Sequence, residues 1–286
     1  MKVFVCSAVK PDRLRTHRWL MNTGAEYLYS VHGDEDKAKL HDLTGIPKER
    51  IVVMDPPNIG VGVVSWLRHH LEQEFTVPGE WYAFIDDDIM VSKLGAPWYD
   101  MEALDLEGIE CYGEDMREEF AKPLQAVDFV PLLDEIRREC IAERTIMGGI
   151  TWNENYYFRL KKWRTKTFVC GGFCVTVSDP DCPWRFHPEV HLNEDSVRSL
   201  FVMEKYGRLV LNQFATIAPL EPTQDNSALG PLERRRSAWK WSCETLAERF
   251  SGIVRLKNKP NGDIQLVWKS DKSIKEWRKE QGWLEA

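Results

Sequence analysis

The chain has 286 residues, of which 43% are hydrophobic and 29% are charged, and its formal net charge is −7. These proportions are ordinary for a folded globular protein and exclude a disordered or collagen-like chain. No apolar run approaches the roughly 18 residues of a membrane-spanning helix, and the run before Pro11 is too short for a signal peptide. We therefore expect a cytoplasmic protein with no membrane partner.

The charge is unevenly distributed between the two halves. Residues 1–150 carry 16 Lys and Arg against 28 Asp and Glu, a net of −12, whereas residues 151–286 carry 22 against 17, a net of +5. A basic second half can bind a polyanion on one face even though the chain is acidic. The seven cysteines are scattered and odd in number, which favours reduced thiols over a disulfide framework.

The first 54 residues alternate predicted strands with predicted helices. Strands are expected at Lys2–Val9, Glu26–Val31 and Ile51–Met54, with a helix at Pro11–Asn22 and a short polar helix after the second strand. This alternation is typical of a parallel sheet with helical crossovers. Asn58 and Gly60 then open a further helix, whose free N–H groups can contact a phosphate or ribose. A lone Gly-x-Gly is more often only a turn.

The segment Trp81–Met90, WYAFIDDDIM, is a buried strand that ends in three carboxylates. Five apolar residues in a row favour a strand buried on both faces of a parallel sheet. Strand alternation predicts that Asp86 and Asp88 share one face, where hard carboxylate oxygens can hold Mg²⁺ or Mn²⁺, while Asp87 faces the other way. The alternative is a solvated acidic turn.

A basic and aromatic stretch follows an acidic region at residues 95–130, which we interpret as an insertion or lid. From Thr151 to Phe168, aromatic residues alternate with the cations Arg159, Lys161, Lys162 and Arg164. Aromatic faces stack on bases and cations bind phosphates, as in a nucleic-acid groove. The alternative is a β-hairpin with one aromatic face in the core and one basic face in water.

Two later motifs carry glycine and acid pairs. The strand predicted over Phe168–Val177 is interrupted by Gly171 and Gly172, which indicates a bulge or a place where a ligand touches the backbone. Glu194 and Asp195 then open a helix that runs to Gly207, with Asn193 as its expected N-cap. Acids at a helix start are also favoured by the helix dipole alone.

The last residues read as a small α+β appendage. A helix is predicted over Leu232–Phe250, a hairpin over Ile253–Lys269 around Asn261-Gly262, and a closing helix over Ser273–Trp283. Arg234, Arg235 and Arg236 lie near the start of the first helix, where cations are unfavourable unless an anion is nearby.

Taken in order over Val3–Gly207, these motifs resemble the GT-A fold nucleotide-sugar glycosyltransferases. The resemblance implies an α/β fold with a GT-A-like mixed, mostly parallel sheet flanked by helices. Residues 1–230 would form the catalytic domain, with a nucleotide-binding half at 1–90 and an acceptor half at 150–230. Residues 231–286 would form the C-terminal appendage.

The resemblance also implies roles for individual residues. Asp86-Asp87-Asp88 matches the family's D-x-D motif, in which Asp86 contacts the ribose or metal and Asp88 ligates the Mn²⁺ or Mg²⁺ on the donor diphosphate. Gly171-Gly172 matches the strand beside the sugar or acceptor. Asp195, with Glu194 beside it, matches the base that takes the acceptor proton. We expect Asp87, Asn58 and Gly60 to contact the nucleotide sugar, for which a UDP-sugar is favoured. Many family members have a further His metal ligand after the helix that Glu194 and Asp195 open. No such His is present here, and the candidate replacements are Gln213, Gln224 or Asp225.

The basic segments favour a polyanionic acceptor, which is similar to the phage-type GT-A enzymes that glycosylate modified DNA bases such as 5-hydroxymethylcytosine. Arg159, Lys161, Lys162, Arg164 and Arg234 to Arg236 would then bind DNA, and a phage-encoded enzyme would act in the host cytoplasm. The alternatives are a glycan, lipid-linked or protein acceptor, or a nucleic-acid-binding protein without catalytic activity.

Overall fold

The computed structural model describes residues 1–11, 14–56, 63–93, 122–123, 126–152, 163–184, 193–219, 232–257, 264–267 and 279. Ten strands of these residues form one sheet: β1 (Lys2–Cys6), β2 (Glu26–Val31), β3 (Ile51–Val53), β4 (Trp81–Asp86), β5 (Ile89–Lys93), β6 (Lys122–Pro123), β7 (Met147–Thr151), β8 (Trp163–Arg164), β9 (Phe173–Val177) and β10 (Val210–Pro219). The α-helices in the same residues are α1 (His17–Leu20), α2 (Gly33–Thr44), α3 (Val63–Phe75), α4 (Ala126–Ala142), α5 (Glu194–Tyr206) and α6 (Leu232–Arg249). None of these helices is both long enough and apolar enough to cross a membrane. The cysteines in this part of the chain are free thiols.

The sheet is mixed and mostly parallel. Its strand order is β3-β2-β1-β4-β9-β7-β10-β5-β6, and β8 pairs with β10. The first four strands in this order are parallel to one another, as are β7 and β10. Strand β9 runs antiparallel between β4 and β7. The predicted α/β architecture is therefore confirmed, while its assignment to the GT-A fold stays a prediction.

Helices cover both faces of this sheet. On one face, Val3 and Ile85 belong to a core cluster that includes residues of α1, α2 and α4. On the other face, Phe4 and Phe84 pack with residues of α3 and α5. Adjacent residues of β1 and β4 thus point into two different cores, which explains the unbroken apolar runs Val3–Val5 and Trp81–Ile85 within these strands.

Strand β1 lies at the point where the strand order reverses. The chain moves outward from β1 to β2 and β3, and then crosses to the other side of β1 to form β4. Cys6 and Asp86 are paired at the carboxyl ends of β1 and β4. In open α/β sheets, ligands bind in the crevice beyond such strand ends. This edge is where the acidic residues after β4 lie.

The first predicted strand, Lys2–Val9, ends at Cys6, and two further predicted elements differ more from the observed ones. The helix expected at Pro11–Asn22 is reduced to α1, because the backbone N–H groups of Arg15 and Thr16 bond to Asp87 rather than to a preceding helical turn. The strand expected at Phe168–Val177 begins only at Phe173. The predicted interruption of a strand by Gly171 and Gly172 is therefore wrong, because both glycines lie in the turn that precedes β9.

The C-terminal residues pack against α5. Val197 and Leu200 of α5 share an apolar cluster with Cys243, Leu246 and Phe250 of α6. The strands β11 (Val254–Leu256) and β12 (Ile264–Leu266) pair in the antiparallel arrangement predicted for the hairpin. The first helix and the two strands predicted for the hairpin are thus observed, and the closing helix predicted at 273–283 lies outside the described residues except for residue 279.

Candidate functional site

Asp86, Asp87 and Asp88 lie where β4 ends and a tight turn leads to β5. Strand β4 ends at Asp86, and Asp87 and Asp88 form a turn. The expected alternation of the three side chains therefore does not apply, because only the first acid belongs to the strand. All three side chains are only partly buried, and that of Asp86 is 41% exposed.

The backbone of this acidic turn, Asp86 to Asp88, is held by the loop that follows β1. The Thr16 hydroxyl donates to the Asp86 carbonyl at 2.6 Å. The N–H groups of Arg15 and Thr16 donate to the Asp87 carbonyl at 2.9 and 3.0 Å. The Ser7 hydroxyl donates to the Asp87 carboxylate at 2.5 Å. These bonds fix the acidic turn across the boundary between β1 and β4, where a ligand is expected.

Arg68 of α3 is the residue that assembles the site. Its side chain is 2% exposed. Nη2 donates to Asp86 Oδ1 at 2.9 Å and to the Gly171 carbonyl at 2.8 Å, and Nη1 donates to Glu194 Oε1 at 2.7 Å. One guanidinium therefore joins the acidic turn, the glycine turn and the start of α5.

The environment of Arg68 offsets the cost of burying a charge. Removing an isolated cation from water costs several kcal/mol unless partners satisfy it. Burial alone lowers the pKa of Arg68, but the Glu194 and Asp86 carboxylates outweigh that effect and raise the pKa above its usual value. The guanidinium also lies 5.7 Å from the ring centre of Phe84 and 5.5 Å from that of Trp184. Arg68 is consequently a permanent positive charge at the centre of the site.

The guanidinium of Arg68 occupies the space that a side chain at position 171 would need. A Cβ atom built at this position would lie 2.1 Å from Nη1 of Arg68. The N–H of Gly171 donates to Asp195 Oδ2 at 3.1 Å, and the Gly172 carbonyl accepts a bond from the Asp86 N–H at 3.1 Å. An arginine of the chain itself therefore contacts this backbone, and the predicted contact with a ligand stays a prediction.

The two acids at the start of α5, Glu194 and Asp195, lie in different environments. Both oxygens of Asp195 accept backbone N–H bonds, from Gly171 and from Ser196. The Glu194 side chain is 18% exposed and bonded to Arg68. Burial raises the pKa of Glu194 to about 7, with Asp195 and Asp86 adding to the shift and Arg68 opposing it. A carboxyl group with such a pKa can exchange a proton near neutral pH.

The cap predicted for α5 takes a different form. Asn193 precedes the helix with φ 105° and makes no side-chain capping bond. Its amide nitrogen instead lies 3.5 Å from Cys243 Sγ on α6. The contact with α6 replaces the local cap, and Asp195 accepts the free N–H of Ser196.

The binding of Mg²⁺ or Mn²⁺ by the acidic turn stays a prediction. Among the described residues, no three His, Cys, Asp or Glu side chains form a group that could hold a metal ion. Mg²⁺ commonly binds through one or two carboxylates and completes its shell with water and phosphate oxygens. Asp86 and Asp88, the predicted ligands, would therefore need the oxygens of water and a diphosphate to complete the shell. Of the candidate third ligands, Gln213 is buried on β10, and Gln224 and Asp225 lie outside the described residues.

Three of the seven predicted cationic residues lie outside the described residues. Asn58, Gly60, Arg159, Lys161 and Lys162 lie outside the described residues. Arg164 is exposed on β8. The residues Arg234, Arg235 and Arg236 belong to the first turns of α6, and the side chain of Arg236 is exposed.

The sequence interpretation missed Arg68, Ser7 and Thr16. A signal for Arg68 was present: Leu67 and Leu71 mark the apolar face of α3, and a residue three before Leu71 lies on that same face. A charged residue at a core-facing position predicts a buried partner. Ser7 and Thr16 carry no comparable signal, because small hydroxyl residues are common in every loop.

The chain matches no protein-family model and no curated protein.

Proposed function

We propose that this protein is a metal-dependent glycosyltransferase that moves a sugar from a nucleoside diphosphate sugar, with a UDP-sugar favoured, to a hydroxyl acceptor. The observation that carries the proposal is Arg68, whose guanidinium bonds to both Asp86 and Glu194. Donor-side and acceptor-side carboxylates, 108 positions apart in the chain by their numbers, thereby belong to one site. The position of this site at the carboxyl edge, beside the reversal of strand order, also supports a nucleotide ligand.

On the donor side, Asp86 and Asp88 would hold Mn²⁺ or Mg²⁺ against the diphosphate. Such an ion neutralises the charge that develops on the departing diphosphate. Ser7 orients the Asp87 carboxylate, and the backbone bonds from Thr16 keep the acidic turn rigid. A rigid turn places its carboxylates without losing conformational entropy when the donor binds.

On the acceptor side, the hydrogen bonds favour Glu194 as the base. The acceptor oxygen forms a bond to the anomeric carbon while the bond from that carbon to the diphosphate breaks, and the acceptor proton passes to the carboxylate. Both oxygens of Asp195 already accept backbone N–H bonds. Glu194 has the pKa near 7 that suits a general base. Asp195 then positions Gly171 and, through it, Arg68.

The favoured acceptor is modified DNA such as 5-hydroxymethylcytosine. Trp152 follows β7 at the same sheet edge and is 57% exposed, which suits stacking on a base. Flipping the base out of a duplex would cost a few kcal/mol, to be offset by such stacking. A glycan, lipid-linked or protein acceptor is the alternative within the same reaction class.

The test is incubation of the protein with mixed nucleotide sugars and Mn²⁺, followed by mass spectrometry of hydroxymethylated DNA and of a glycan panel. We expect a sugar adduct on one acceptor class, abolished by Asp88→Asn. Glu194→Gln should stop transfer, whereas Asp195→Asn should leave donor binding largely unchanged while slowing transfer. No adduct on any acceptor, or full transfer by Asp88→Asn, would contradict the proposal.

A second candidate is a nucleic-acid-binding protein without catalysis, which the exposed cations Arg164 and Arg236 favour. Calorimetry separates the two functions. A pure binding protein should release no heat with a UDP-sugar and Mn²⁺, whereas a transferase should bind both.

A further inference from the structure

Helix α6 runs parallel to α5 and extends past its beginning. Next to the start of α5, the amide of Asn193 lies 3.5 Å from Cys243 Sγ. Farther along both helices, the ring centroids of Phe201 and Phe250 are 5.6 Å apart. Because the residue numbers rise together, the helices point the same way, and residues 232–242 lie beyond the start of α5. We name these residues the α6 overhang; at 1.5 Å per residue it is roughly 15 Å long.

The α6 overhang projects on the side of the candidate site. Helix α5 begins with Glu194, which is bonded to Arg68 within that site. A helix that continues past this point passes beyond the carboxyl edge of the sheet. Trp239 packs against the cluster of Val197 and Cys243, so the base of the overhang is anchored to the fold.

The α6 overhang is strongly cationic. It contains four cations, Arg234, Arg235, Arg236 and Lys240, against one acid, Glu233. The side chains of Arg236 and Lys240 are exposed, and their spacing of four residues places them on the same side of the helix. The positive end of the helix dipole adds to this charge. Trp241, 44% exposed, offers an aromatic surface beside Lys240.

We propose that the α6 overhang is a docking surface for the phosphate backbone of a nucleic acid. The cations of the α6 overhang are complementary in charge to the phosphates of a nucleic acid. The candidate site itself is rich in carboxylates and repels a polyanion, so a nucleic acid that presents one nucleotide there needs cations beside the site to hold its phosphates. This inference rests on the proposed function in one respect, because that function explains why a nucleotide would enter the site. Binding of a nucleic acid to the α6 overhang can be tested without it.

The experiment measures binding of fluorescein-labelled single-stranded and duplex DNA, with and without 5-hydroxymethylcytosine, by fluorescence anisotropy across a series of salt concentrations. The test variant is Arg236→Glu/Lys240→Glu. The control is Lys39→Glu/Arg255→Glu, which makes the same charge change at exposed residues of α2 and β11. Thermal unfolding of each variant confirms that the fold is intact, and calorimetry with UDP and Mn²⁺ is run in parallel.

We expect the test variant to bind DNA at least ten-fold more weakly and to lower the slope of log affinity against log salt by about 2. The control should change affinity less than three-fold. Equal weakening of both variants, or no DNA binding by the wild type, would overturn the docking surface even if UDP and Mn²⁺ bind. DNA binding that depends on Arg236 and Lys240 without any heat from UDP and Mn²⁺ would keep the docking surface and overturn the transferase.

Discussion

Two buried arginines lie close to the ring of Trp184, and they bond to different kinds of partners. Arg68 and Arg198 are each 2% exposed, and their guanidinium carbons lie 5.5 and 5.7 Å from the centre of the indole ring. Arg198 bonds to the Cys182 carbonyl and to the Thr176 hydroxyl. Arg68 instead bonds to two carboxylates and one carbonyl.

The charges around the two arginines differ, and we infer from them a structural role for Arg198 and a functional role for Arg68. The buried acid near Arg198 is Glu72, which lowers the cost of its burial and is itself 1% exposed. Around Arg68, one cation faces Asp86, Glu194 and Asp195, and the first two of these retain contact with solvent. Arg198 and Glu72 influence each other electrostatically, and both are buried in the interior. The Arg68 cluster keeps an excess of negative charge at the sheet edge, where a cation and an acceptor proton would be received.

The largest effect on stability should come from Arg198→Met. This change leaves the Glu72 carboxylate buried without its cation, which costs about 3 to 5 kcal/mol. Denaturant unfolding measures the loss. Adding Glu72→Gln to Arg198→Met should recover a substantial part of it, and a single variant as stable as the wild type would show that the two groups are not coupled.

Arg68→Met should have the largest effect on activity. We expect donor turnover to fall at least about 100-fold, equivalent to roughly 2.7 kcal/mol, because Glu194 and Asp86 lose their common partner. The loss of stability should be smaller than for Arg198→Met, since both acids reach solvent. Arg68→Lys, which keeps the charge but not the forked geometry, is the matched control. If Arg68→Met were active and unfolded more readily than Arg198→Met, the assigned roles would be reversed.

Gly171→Ala should act through Arg68. The added Cβ would lie 2.1 Å from Nη1 and displace the guanidinium. We expect turnover to fall by about ten-fold, roughly 1.4 kcal/mol. In the Arg68→Met background the same change should cost little, because the obstructed group is gone. Additive losses in this double-mutant cycle would mean that the glycine serves another purpose.

The smallest expected effect is on the pH dependence of stability. The folded protein raises the pKa of Glu194 to about 7, so the folded state holds this proton more tightly than the unfolded state does. Stability from this group is therefore full below the ordinary carboxyl pKa and is lost as pH rises through about 7. Unfolding measured from pH 4.5 to 8 should show this loss in the wild type and not in Glu194→Gln. The same curve for both proteins would indicate an unshifted Glu194.

The sequence predicted those parts of the fold that are determined by local pattern. The strand Glu26–Val31 and the helix that begins at Glu194 and ends before Gly207 have the predicted bounds. A run of aromatic and β-branched residues, and an apolar stripe followed by a glycine in the left-handed region, are strong local signals. The carboxylates of Asp86 and Glu194, which the sequence singles out, bond to the same guanidinium, and their roles in a site stay predictions.

The remainder depended on contacts between distant residues. Arg68 meets Glu194 across 126 positions of sequence, and no local pattern specifies that pair. Asn193 gives up its capping bond for a contact 50 positions away, with Cys243. The acidic turn departs from strand alternation because Thr16 and Arg15 bind its backbone. Local pattern therefore located the acids but not the arginine that joins them.

The proposed transfer requires that the acidic turn bind a divalent ion together with a nucleoside diphosphate. The decisive experiment is isothermal calorimetry with UDP, in the presence and absence of Mn²⁺, on the wild type and on Asp86→Asn/Asp88→Asn. We expect binding by the wild type that requires Mn²⁺, and no heat from the variant at an unchanged melting temperature. Equal binding of UDP by both proteins, or by the wild type without the ion, would contradict it.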